Sequence, residues 1–117
     1  MTQEITVEPR IVLVTAPDED VARRLAGSMV EGRLAACVNL IPGALSIYRW
    51  EGVVREERET LMLVKTTDDL LGELVEFVER EHPFDVPEFV VIDPEAVEHG
   101  YREWLLDECS PESPSEA

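Results

Sequence analysis

The chain has 117 residues, 44% of them hydrophobic, which is the length and composition of one globular domain with a single core. It carries 26 acidic and 10 basic residues, and its formal net charge of −16 disfavours binding to nucleic acid or to an anionic membrane. No apolar run is long enough to cross a membrane and no signal peptide is readable, so we expect a cytoplasmic protein.

The acid excess is accompanied by a scarcity of lysine, because Lys65 is the only lysine in the chain. One interpretation is simple solubilisation. The interpretation we favour is adaptation to high salt, where carboxylates keep their hydration and a short Debye length screens their repulsion. The composition therefore favours a halophilic archaeal source, and it makes Lys65 a candidate functional residue.

The first half of the chain predicts a strand followed by a helix. Residues 1–9 are expected to be flexible. A buried strand over 11–16 stops at Pro17, and the acidic residues 18–20 then cap a helix whose apolar residues recur at helical spacing as far as Gly32.

A long β-hairpin comes next. Residues 34–41 are predicted to form a strand, Pro42-Gly43 interrupts it, and a turn at Glu51-Gly52 leads into a second extended segment. The hairpin over 34–66 is longer than a lone domain of this size needs. We therefore expect it to build a trimer by edge-to-edge strand pairing, with Pro42-Gly43 as a bulge.

The second half repeats the order of the first. Residues 61–65 are extended, 66–68 cap a second helix, and 89–92 are extended again. The order β-α-β-β-α-β is that of a ferredoxin-like α+β sandwich, with both helices on one face of a mainly antiparallel sheet. A third, short helix is predicted at or after His99, and residues 109–117 are expected to form a disordered acidic tail.

Seven short motifs occur in order along this predicted domain. They are TAPDE (15–19), RLAACVN (33–39), IPG (41–43), YRWEG (48–52), ETLMLVKT (59–66), HPFDVPE (82–88) and YREWL (101–105). Together they resemble the CutA family of divalent-cation tolerance proteins. The resemblance implies a domain over 10–108, a homotrimer similar in architecture to PII signalling proteins, no enzymatic activity, and a response to copper or other divalent metal ions.

Three residues are candidate metal ligands: Cys37, His82 and Glu88. A thiolate suits Cu(I) and an imidazole suits Cu(II). The alternatives are a buried structural thiol, a histidine at the helix C-terminus and a glutamate at a strand entry. Copper-binding relatives carry a cysteine where this chain has Val14, and can carry a histidine where it has Glu81, so copper binding by that route is expected to be weaker here.

A second set, Trp50, Glu59, Lys65 and Tyr101, is a candidate ligand pocket. Glu59 and Lys65 point to the same face of one strand by the period of two, and charges on an otherwise apolar face need partners or a pocket. We expect a neighbouring subunit to complete it. The alternative for these residues is an interface ion pair with aromatic packing. The alternative functions are a PII-like signalling or small-ligand-binding regulator whose loops contact an unknown partner protein, and a weak enzyme using Lys65 and Glu59.

The sequence lacks the motifs that are typical of several other function classes. There is no glycine-rich phosphate loop, no Ser-His-Asp order and no H-E-x-x-H helix. Cys37 and Cys109 belong to no C-x-x-C pattern, so we expect two free thiols in a reducing cytosol.

Overall fold

A computed structural model of the chain describes residues 6–110. Its elements, in chain order, are β1 (Pro9–Ala16), α1 (Glu19–Glu31), β2 (Cys37–Trp50), β3 (Val53–Thr67), a 3₁₀ turn (Asp68–Leu70), α2 (Leu71–Glu81), β4 (Val90–Ile92) and α3 (His99–Glu108). The strands form one antiparallel sheet in the order β2-β3-β1-β4. The predicted ferredoxin-like α+β fold, with an additional C-terminal helix, is confirmed.

The core lies between the sheet and the two longer helices. Residues Val12 and Val14 of β1 and Met62 and Val64 of β3 are fully buried together with the apolar faces of α1 and α2. The residues that alternate with them in β1 and β3 are only half-buried, because successive side chains of a strand point to opposite faces. One face of the sheet is therefore covered by α1 and α2, and the other, which we call the open face, is covered by neither of them.

The ends of α1 follow the predicted signals. The Asp18 carboxylate accepts the backbone N–H of Val21 at 2.9 Å, and Gly32 ends the helix by donating its N–H to Ser28. The start of α2 differs from the prediction, since Thr67 makes no side-chain cap and the chain enters the helix through the 3₁₀ turn.

The predicted hairpin is present. Its first strand begins at Cys37, three residues later than predicted, because residues 34–36 bond to the end of α1 and to β3 instead. Pairing with β3 continues to Trp50 with a register shift between Ile41 and Ala44, which confirms the bulge at Pro42-Gly43. Positive φ angles of 49° at Glu51 and 80° at Gly52 make the tight turn.

Much of this hairpin projects beyond the rest of the sheet. Pairing of β1 with β3 stops at Thr60, so residues 44–59, here called the hairpin arm, are a two-stranded ribbon. The arm contributes to a molecule 55 Å long but only 32 × 26 Å across. Its exposed large hydrophobic side chains are Leu45, Ile47, Tyr48, Trp50, Val53 and Val54. A two-stranded ribbon has little stability of its own in water, so this surface is suited to contact with another chain.

Three residues that the sequence assigned to flexible ends, Glu8, Pro9 and Cys109, have defined positions in the structure. Glu8 donates its backbone N–H to Asp68 and pairs its carboxylate with Arg102, and Pro9 already belongs to β1. Cys109 is buried after α3 rather than part of a tail. The remaining residues of those two segments, 1–5 and 111–117, lie outside the described residues. Within 6–110 no helix is long and apolar enough to span a membrane.

Candidate functional site

His82, a predicted metal ligand, uses both ring nitrogens inside the protein. Its Nδ1 accepts the backbone N–H of Phe84 at 3.0 Å, and its Nε2 lies 2.8 Å from the carbonyl oxygen of Thr15. Because Nδ1 is an acceptor, Nε2 carries the proton and donates to Thr15. The residue is only 6% exposed. His82 therefore holds the loop after α2 against β1, and no ring lone pair is directed at a metal.

Cys37 lies far from His82. It is half-buried on β2 opposite Lys65, whereas Thr15, the partner of His82, lies opposite Leu61. Those two β3 positions are four residues apart, or about 13 Å along the strand, and β2 and β1 flank β3 on opposite sides. The predicted ligands Cys37 and His82 are thus not brought together. Among residues 6–110, no three His, Cys, Asp or Glu side chains converge on a metal-binding point.

Glu88, the third predicted ligand, lines an open cleft between the hairpin arm and the loop 83–88. The cleft has a volume of about 810 Å³, and Tyr48 and Trp50 form part of its wall. Its charged lining residues are Arg55, Glu57, Glu59, Asp85 and Glu88. We call it the acidic cleft, because four carboxylates face one guanidinium.

Glu59 and Glu88 are the pair in this cleft whose charges interact unfavourably. Partial burial raises the pKa of Glu88, and the nearby carboxylate of Glu59 raises it further. Glu57 has a different partner, since it accepts the Tyr48 hydroxyl at 2.9 Å, a hydrogen bond that is the main cause of the raised pKa of Tyr48. Within the cleft, Glu59 is thus the charged neighbour that opposes the ionisation of Glu88.

The predicted pocket of Trp50, Glu59, Lys65 and Tyr101 is divided in two. Trp50 and Glu59 line the acidic cleft. Lys65 lies six residues beyond Glu59 on β3, about 20 Å away, so one chain does not close the pocket.

At its own end of the sheet, the Lys65 ammonium donates to Asn39 Oδ1 and stands 6.0 Å from the centre of the Tyr101 ring. Trp104 packs beside Tyr101, with the ring centres 5.4 Å apart. These four residues, Asn39, Lys65, Tyr101 and Trp104, are called the lysine patch below. Asn39 and Trp104 were not singled out from the sequence, although both lie inside the motifs that carry the family resemblance.

Helix α3 places Tyr101 over Lys65. Its first turn is capped by Glu98, whose carboxylate accepts the N–H groups of Gly100 and Tyr101 at 3.0 and 2.9 Å and whose pKa those bonds lower. Leu105 anchors the far side of the helix among buried residues. Glutamate is not a preferred N-cap residue, so sequence signals alone do not identify this one.

A family model described as CutA1 divalent ion tolerance protein matches residues 10–108. The chain is 50% identical over 97 residues to the divalent-cation tolerance protein CutA of Thermus thermophilus, covering 83% of this chain and 94% of that protein. It is 43% identical over 100 residues to the chloroplastic CutA 1 of Oryza sativa, covering 86% of this chain but 56% of the rice protein. The chain thus spans about half the length of the plant relative.

Solved structures agree with the sequence comparison. The CutA1 structure from Thermus thermophilus superposes with a TM-score of 0.81 at 48% identity, covering 83% of this chain and 94% of that one. The CutA1 structure from Oryza sativa superposes with a TM-score of 0.87 at 40% identity, covering 91% and 97% of the two chains.

Proposed function

The chain belongs to the CutA1 divalent ion tolerance family, and on that premise we propose that it is a non-enzymatic homotrimer of the cytoplasm that binds divalent cations. The observation that supports cation binding is that Glu59 and Glu88 line one cleft, in which the Glu59 carboxylate adds to the effect of burial in opposing ionisation of Glu88. A cytoplasmic location is supported by the two free thiols, Cys37 and Cys109, which suit a reducing compartment.

The repulsion between two carboxylates can be relieved by a proton or by a cation. The raised pKa of Glu88 means that its protonated, uncharged form is favoured, which relieves the repulsion. A divalent cation between the two carboxylates would remove the same repulsion more completely. Oxygen ligands suit hard ions such as Mn²⁺, with water completing the coordination. Cu²⁺ is expected to bind more tightly than Mn²⁺ because it stands higher in the affinity order of first-row ions.

Self-association is supported by the open face and by the hairpin arm. Leu13, Leu61 and Leu63 are only half-buried on the open face, and Ile41 at its rim is 46% exposed. Contiguous apolar surface of this kind on a single chain is typical of an interface. The long outer edge of β2 offers the unpaired backbone groups that edge-to-edge pairing with another copy would use.

Calorimetric titration with Mn²⁺ and with Cu²⁺ in molar KCl tests cation binding, because salt suppresses diffuse binding to the many surface carboxylates. Replacing one ligand, in Glu88→Gln, should weaken binding by about tenfold or more. Glu79→Gln is the matched control, since it removes the same charge from the exposed surface of α2. Identical isotherms for wild type and Glu88→Gln would contradict the proposed site.

A further inference from the structure

Lys65 is a partly buried cation without a carboxylate partner in the described residues. Arg10 and Arg102, which are also partly buried, both have one: Arg10 pairs with Asp68 and Arg102 with Glu8. Lys65 instead contacts the neutral amide of Asn39 and the face of the Tyr101 ring. An ammonium has three donors, so two remain for another acceptor.

The unpaired Lys65 ammonium becomes energetically unfavourable if another chain covers the open face around it. Lys65 stands on the open face between Cys37 of β2 and Ile11 of β1, with Leu63 next to it on the same face. If a second chain covers this apolar surface, the ammonium loses its water, and a charge in such a place is costly unless it is paired. The group that would compensate is a carboxylate.

The same chain carries the complementary feature at the other end of this face. Glu59, Glu88 and Trp50 line the acidic cleft together, and the Glu59 carboxylate opposes the ionisation of Glu88 there. A cation in this cleft would relieve that repulsion. Glu59 is about 20 Å from Lys65 along β3, so the two cannot meet within one chain. Complementary surfaces at two different places on one chain specify a head-to-tail contact, which forms a closed ring when the rotation closes.

We propose that the lysine patch of one copy receives a carboxylate from the acidic cleft of the next copy, so that each contact between chains forms one shared site. Lys65 and Tyr101 come from one copy, and Glu59 and Trp50 from the next. This inference rests on the proposed homotrimer and states which residues meet in it. The occupant of the lysine patch is a second copy, because the cleft supplies the required charge and the surrounding apolar face requires a cover.

Sedimentation equilibrium in molar KCl measures how tightly the chains associate and thereby tests the inference. Lys65→Met should weaken association about 30-fold or more, since removing one partner of a desolvated charge pair leaves the other unpaired. Lys65→Arg should retain most of the affinity. The control is Arg23→Met, which removes an exposed cation of α1 that pairs with Glu19 one helical turn away. A Lys65→Met chain that associates as tightly as wild type would overturn the proposal.

A charge exchange tests the identity of the partner. Lys65→Glu and Glu59→Lys should each lower the association constant. The double variant should associate at least tenfold more tightly than either single variant. This readout does not depend on a single variant folding poorly, because the double variant carries both changes. A double variant as weak as the singles would overturn the assignment of Glu59.

Chemical cross-linking locates the contact directly, because Lys65 is the only lysine in the chain. A zero-length carbodiimide joins an amine to a carboxylate in contact with it. In a mixture of ¹⁴N- and ¹⁵N-labelled chains, the expected product is a mixed-label covalent dimer whose linked peptides contain Lys65 and an acid of the cleft. Linkage only to acids outside the cleft would overturn the proposal.

These experiments distinguish a failure of this inference from a failure of the proposed function. A wild-type chain that sediments as a monomer would remove the homotrimer and the shared site together. A trimeric wild type that is insensitive to Lys65→Met would remove only the shared site. The Mn²⁺ titrations of wild type and Glu88→Gln, in which Lys65 is unchanged, report on cation binding in either case.

Discussion

The Nε2 proton of His82 is donated to the carbonyl oxygen of Thr15, 2.8 Å away, which ties the end of α2 to β1. The other ring nitrogen accepts the N–H of Phe84, and the two rings pack with centres 4.8 Å apart. His82 thereby positions the loop 83–88 that forms one wall of the acidic cleft. Its contribution to the site is made through that loop.

We predict that His82→Ala destabilises the fold by about 2–4 kcal/mol, because it leaves two backbone groups without their partners. Urea denaturation measures the loss. His99→Ala is the control, since the other histidine of the chain is exposed at the start of α3 and should change stability little. A loss below about 1 kcal/mol in His82→Ala would mean that these two hydrogen bonds do little for stability.

We predict that Glu88→Gln raises the melting temperature at pH 7. Burial and the repulsion from Glu59 raise the pKa of Glu88 above its ordinary value of 4.5, so its ionisation opposes folding. That penalty is absent below the ordinary pKa and develops fully only above the raised one. The difference from wild type, below about 1 kcal/mol for this solvent-accessible group, should therefore vanish near pH 3. A variant less stable than wild type at pH 7 would contradict the argument.

We predict that Gly43→Ala is destabilising by about 1–2 kcal/mol, because Gly43 has a φ of 79° in the bulge and a side chain is strained there even though its Cβ would meet no neighbour. Gly27→Ala is the matched control. Its Cβ also meets no neighbour, but it lies within α1, where alanine should stabilise by about 0.5–1 kcal/mol. Thermal melts of the two variants should thus shift in opposite directions.

We predict that Cys109 is chemically inert in the folded protein. Burial raises the pKa of its thiol to about 11, compared with an ordinary value of 9.0, so its thiolate fraction at pH 8 is about 100-fold lower than normal. In a Cys37→Ser background, where Cys109 is the only thiol, modification by a disulfide reagent should follow unfolding. Rapid labelling under native conditions would show that the thiol is accessible.

We predict that the melting temperature rises by about 4 °C or more between low and multimolar KCl. At a net charge of −16 the surface carboxylates repel one another, and salt screens that repulsion. Dilution into low salt should also weaken the association between chains before it unfolds them. A melting temperature that does not depend on KCl would remove the interpretation of salt adaptation.

The local structure of this protein can be predicted from its sequence. The Asp18 cap, the end of α1 at Gly32 and the interruption at Pro42-Gly43 all follow from preferences of a few neighbouring residues, and the structure confirms each of them. The period of two also placed Glu59 and Lys65 correctly on one face of β3. Steric and hydrogen-bond preferences of this kind act over a few residues and can therefore be read from the chain.

Which of the candidate residues meet depends on how distant segments of the chain pack. Cys37 and His82 were grouped as ligands, yet strand register separates them, and the imidazole is occupied by the backbone of β1 and of its own loop. Glu59 and Lys65 share a face, but the extended strand keeps them about 20 Å apart, while the loop after α2 brings Glu88 into the same cleft as Glu59. Such pairings depend on the packing of segments distant in the chain and on the need to satisfy buried polar groups, neither of which a local pattern contains.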